Sequence, residues 1–128
     1  MNEKSKQRMK DQQQAIHDGL SSTFNLPVFE DEISESELPD QLNLFFVIYG
    51  DFQKTESPYF LLQEIYVVYV SEDNANVETT TIDIISIVDK INAISFDRTS
   101  KERLQKKDSD TYIDQVTVVF KRKVAYEY

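Results

Sequence analysis

With one histidine and no cysteine, the chain has few side chains suited to covalent or metal chemistry. His17 stands beside Asp18 in a stretch of helical pattern, and no serine nucleophile is set out near it by a strand-to-helix elbow. Nothing in the spacing requests a triad from distant residues, so His17 reads as a structural or surface residue. Without Cys, a metal site would have to be built from carboxylates. Asp73, Asn74, Asn76 and Glu78 offer oxygens at alternating positions, but the glycine and the closing glutamate of a calcium loop are missing. A helix entry explains this cluster better, because Asn and Asp cap free backbone N–H groups there. Gly19 and Gly50 stand alone, so there is no glycine-rich phosphate loop. Glycosidase-type chemistry needs two converging carboxylates, and among 23 acids chance pairs are expected. The reading predicts no catalytic residues, no metal and no cofactor.

Charge is distributed unevenly. The net charge is -9, yet 12 of the 14 cations fall within residues 1–10 or from Arg98 onward. Residues 11–97 hold 17 acids against Lys54 and Lys90 alone. The acids include a run of Glu30, Asp31, Glu32, Glu35, Glu37 and Asp40. Opposite signs on separate stretches can create surfaces that steer stacking between subunits, although solvated loops and helix ends would give the same pattern. Arg98, Lys101, Arg103, Lys106 and Lys107 form a basic stretch of the kind that meets phosphates. Asp97, Glu102, Asp108 and Asp110 interleave with it, so specific nucleic-acid recognition is not expected. The stretch could instead face an acidic partner or line a channel through which DNA passes.

At 128 residues, 40% hydrophobic and 29% charged, the composition is that of one globular domain. Such a chain buries roughly two-thirds of its extended surface on folding. No apolar run approaches the roughly 20 residues of a membrane span, and residues 1–14 lack the apolar core of a secretory signal. An intracellular protein without membrane partners is the expectation.

The elements that would position these residues are organised around residues 42–70. Two runs, LNLFFVIYGDF and YFLLQEIYVVYV, flank the turn-like KTESP. Period-2 alternation and β-branched and aromatic content predict an antiparallel hairpin. Both of its faces are apolar, and one of them needs a cover beyond the domain's own helices. Phe45, Val47, Tyr49 and Tyr69 are the candidates for that exposed face and hence for a subunit interface. Upstream, Ile16, Leu20 and Phe24 recur every four residues on a helix beginning near Ser5, with residues 1–8 polar enough to be disordered. Leu26 to Phe29 suggest a short strand. Residues 30–41 read as an extended acidic loop. Residues 78–94 predict a second helix from the stripe Ile84, Ile87, Val88, Ile91 and Ile94, in preference to a strand over TTIDIISIV. Residues 98–110 read as an extended charged loop or hairpin tip, and residues 112–126 as the last strand. The expected fold class is α+β, with two helices packed on a mostly antiparallel twisted β-sheet in the order α-β-β-β-α-β-β.

This order, with the hairpin Leu42 to Val70, the single helix after it and the charged arm before the terminal strand, resembles the small tail-terminator and head-to-tail joining proteins of long-tailed bacteriophages. The likeness lies in the architecture of the whole chain rather than in a short motif. It implies a non-catalytic virion protein that forms a hexameric ring, caps the tail tube, stops its polymerisation and offers a docking surface to the head connector. DNA would pass through such a ring, and assembly would take place in the host cytoplasm. By position, the resemblance makes Glu30, Glu32, Glu35, Glu37, Arg98, Lys101, Arg103, Lys106 and Lys107 the loops that dock tube or connector. The alternative is a cytosolic adaptor or assembly chaperone that holds one partner on the exposed sheet face.

Overall fold

A computed structural model describes residues 1–30, 42–105 and 110–126. The elements run α1 (Glu3–Phe24), β1 (Val28–Glu30), β2 (Asn43–Lys54), β3 (Phe60–Glu72), α2 (Val77–Asp89), β4 (Ile94–Gln105) and β5 (Tyr112–Ala125). The class and the order α-β-β-β-α-β-β are those the sequence predicts. The five strands form one sheet in the order β1-β2-β3-β5-β4. Only β1 and β2 pair in parallel, and every other neighbour is antiparallel.

Helix α1 is held by one stripe. Gln12, Ile16 and Leu20 are its buried residues, and the Phe24 ring packs tilted against Phe45 with centroids 5.2 Å apart. It ends at Asn25, which takes the left-handed conformation at φ 54° and donates its N–H to the Ser21 carbonyl at 2.9 Å. Asn tolerates that conformation better than most side chains, and Pro27 follows to prevent the helix resuming. The helix starts at Glu3, so the polar first turns expected to be disordered are helical from there.

Helix α2 confirms the period-3.6 reading over the strand alternative. Val77, Ile84 and Val88 are buried, with Ile85, Ile87 and Ile91 packed against the same cluster. Asn76 takes the N-cap position without a side-chain cap bond, and the Thr79 hydroxyl donates to its carbonyl at 3.0 Å. The helix stops at Asp89, short of Ile94. Ala93 adopts φ 68°, turning the chain into β4, and the Asp89 carboxylate accepts the Phe96 N–H at 2.8 Å. Gly19 lies where α1 and α2 meet. A Cβ there would sit 2.8 Å from Ile87 Cγ2, so the helices can approach this closely only over a glycine.

Both helices lie on one face of the sheet. Their buried residues join Phe45, Val47, Ile65, Val67, Tyr69, Val116, Val118 and Phe120 in the main core. Leu44, Val68 and Val70 form a second cluster on the opposite face, with Phe29, Leu42, Phe46, Tyr66 and Ile113 packed against them. No helix residue belongs to that second cluster.

One element departs from expectation. Residues 98–105 are not a loop but the greater part of β4, paired with β5 from Arg98↔Val119 to Gln105↔Tyr112. The pattern DRTSKERLQ carries no apolar alternation because the strand is exposed along its length apart from Ile94. Its conformation comes from the β5 ladder rather than from burial, a source that hydrophobic periodicity does not register. Of the expected docking loops, Glu32, Glu35, Glu37, Lys106 and Lys107 lie outside the described residues.

Candidate assembly surface

The residues expected to form a subunit interface divide between core and a half-buried position. Phe45 and Val47 are fully buried and Tyr69 is 3% exposed, all beneath the helices. Tyr69 stacks on Phe45 at 5.1 Å and its hydroxyl accepts a hydrogen bond from the Asn74 amide at 2.9 Å. Tyr49 is half-buried on the same face, with the Arg122 guanidinium 5.2 Å from its ring centroid. The exposed face foreseen for the hairpin is not found: the opposite face, around Leu44, Phe46, Val68 and Val70, is itself largely enclosed, with Leu44 fully buried and Val68 and Val70 each 8% exposed. Alternation sorts residues into two sets correctly. It does not say which set the helices cover when both are apolar.

The basic residues of β4 are engaged within the chain. Arg103 donates from Nε to Asp114 Oδ1 at 2.8 Å and from a terminal nitrogen to Oδ2 at 3.2 Å, and its guanidinium lies 4.2 Å from the Tyr112 ring centroid. Hydrogen bonding to the fully buried Asp114 raises the Arg103 pKa above its ordinary value. Lys101 Nζ is 3.5 Å from Glu78 Oε1. Arg98 pairs with Asp97 and reaches Glu64 at 3.7 Å, and the Asp97 contact raises its pKa. Pairs this exposed are individually weak and can exchange partners. Glu30 closes β1, with its carboxylate 3.9 Å from His17 Nδ1.

Arg122 stands between Lys121 and Lys123 at the far end of β5. The structure separates them: Arg122 points into the core and is fully buried. Its Nε and a terminal nitrogen donate to the Gln63 side-chain oxygen, the former at 3.2 Å, and the other terminal nitrogen donates to Gln12 at 3.3 Å. Gln63 in turn donates to the Gly50 carbonyl at 2.9 Å and Gln12 to the Asn92 carbonyl at 3.0 Å. Among the described residues no carboxylate pairs with Arg122, and burial lowers its pKa from the ordinary arginine value. The signal for this was the parity of β5, in which residue 122 shares a face with Val116, Val118 and Phe120.

Among the described residues the surface offers several concavities. One of about 630 Å3 lies at the hairpin tip between Lys54, Glu56, Leu62 and Lys123. Another of about 480 Å3 runs between α2 and β4 over Ile82, Ile85, Phe96 and Val116. Each of these brings in a single carboxylate, Glu56 in the first and Glu78 in the second. Among the described residues no group of three His, Cys, Asp or Glu side chains could hold a metal ion, and no helix is long and apolar enough to cross a membrane. Large apolar side chains stand exposed at Phe52, Tyr59, Phe60, Ile82, Phe96 and Leu104.

No protein-family model and no curated protein matches the chain in sequence. A likeness appears at the level of fold. A chain in the solved virion of a native gene transfer agent particle superposes on this one with a TM-score of 0.50 and 13% sequence identity. The match covers 89% of this chain and 94% of that one. The two chains thus share an α+β fold over almost their full lengths.

Proposed function

We propose that this chain is a non-catalytic structural protein of a virion, and that it forms a ring at the head-proximal end of a tail. The observation that carries this reading is the fold it shares, over 94% of the other chain's length, with a component of a gene transfer agent virion. The exposed apolar side chains along the sheet edges and hairpin tip support it, because such side chains suit a protein that is buried on assembly. In this reading six copies close a ring that ends tube polymerisation and receives the head connector, with DNA passing through the centre without base recognition. Glu30, Arg98, Lys101 and Arg103 are the described charges that would face tube or connector. Phe45, Val47 and Tyr69 have no part in these contacts, since they are core.

Adding the purified chain to tube protein during polymerisation tests the role. Tubes should stop at a shorter length, with a ring visible at one end by electron microscopy. Tube length unaffected by an excess of the chain would contradict it.

A further inference from the structure

Among the described residues, both edges of the sheet present strand without an outer neighbouring strand. At one edge β1 pairs with β2 over Phe45 to Val47 only, so no described strand lies beside the outer side of β2 from Ile48 to Lys54. At the other edge β4 runs for 12 residues with β5 on one side and no described strand on the other, its Phe96 N–H being taken by the Asp89 carboxylate. An open edge of this length is a template for another strand. We propose that neighbouring copies join edge to edge, the β4 of one copy adding to the outer half of β2 on the next, so that the ring is held by a sheet continuing between subunits. This rests on the ring reading and specifies which surfaces make it.

Three observations favour a second copy in this orientation. First, β2 and β5 run one way and β3 and β4 the other. Copies repeated side by side by rotation therefore bring β4 against β2 antiparallel, the more stable arrangement. Second, the exposed apolar residues of the two edges fall on matching faces. Phe96 and Phe52 are placed opposite Phe120 and Gln63, on the helix side of the sheet. Leu104 and Ile48 are placed opposite Ile113 and Tyr66, on the other side. Third, β4 carries Arg98, Lys101 and Arg103 against Asp97 and Glu102, whereas the other edge carries Glu30 and Asp51 against Lys54. Two copies of β4 facing each other would set these cations against themselves, which is unfavourable between adjacent strands. A heterologous contact of this kind closes a ring when its rotation permits.

The absence of cysteine allows a clean test. Ser95, Ser100 and Gln53 are exposed and lie on the face away from the helices. Full-length S95C and S100C copies, each mixed with Q53C copies under assembly conditions, should give a covalent heterodimer with a short thiol-specific cross-linker. A double variant, S100C with Q53C, should give a ladder of multimers. Predominant S100C homodimers would overturn the proposal, because they report a two-fold contact between β4 strands. Ring-sized mass by light scattering with no cross-link in either mixture would also overturn it while leaving the ring intact. A chain that stays monomeric even with tube protein would overturn both.

Discussion

Arg122 is the residue whose surroundings depart furthest from its sequence neighbourhood. Between Lys121 and Lys123 it looks like one more surface cation, yet it is enclosed with only amide oxygens to receive its N–H groups. A buried charge held this way is costly to desolvate, and removing it alone orphans the Gln12 and Gln63 carbonyls. Arg122→Ala is therefore expected to lower stability by about 3–5 kcal/mol. Arg122→Met combined with Gln63→Leu removes the cation together with its main acceptor and should lose less than half as much, measured by chemical denaturation. A double variant as unstable as Arg122→Ala would mean that packing volume, not polar satisfaction, governs the position. Strand parity carried on past Phe120 would have placed residue 122 inward. Nothing in the sequence supplied a carboxylate partner that would have made that placement plausible.

The elements were legible in proportion to how much of their conformation comes from burial. The hairpin and α2 follow from the spacing of Phe45, Val47, Ile65 and Val67 and of Ile84 and Val88, and the structure contains both. Strand β4 was missed over residues 98–105 because its order comes from backbone pairing to β5. The orientation of the hairpin was missed for a different reason: with Leu44 and Phe46 on one side and Phe45 and Val47 on the other, two apolar faces are equivalent until the helices choose one. Helix α1 chooses through Ile16, Leu20 and Phe24. Its seating against α2 depends on Gly19, which weakens the helix locally and is explained by Ile87, whose Cγ2 would lie 2.8 Å from a Cβ at that position. Gly19→Val should destabilise the protein by about 1–3 kcal/mol through overpacking. Ile87→Ala should recover part of that loss, so that the double-mutant cycle shows favourable coupling in thermal or denaturant unfolding. Additive effects of the two changes would place the tightness of Gly19 elsewhere.

At the scale of the whole molecule, a five-stranded sheet whose edge strands have no described outer neighbour belongs to a fold also found in a virion chain. Composition and charge foresaw a single domain with opposite signs on separate stretches, and the fold gives that asymmetry a direction: Glu30 belongs to one edge strand and Arg98, Lys101 and Arg103 to the other. Which copies meet, and how many, is a property of assembly that no intramolecular pattern encodes. The mass of the full-length protein across a concentration series, alone and with tube protein, tests this most directly. The ring account predicts a discrete species of six 15.0 kDa chains that neither grows nor dissociates gradually. A mass that remains that of one chain at every concentration, with tube protein present or absent, would contradict it.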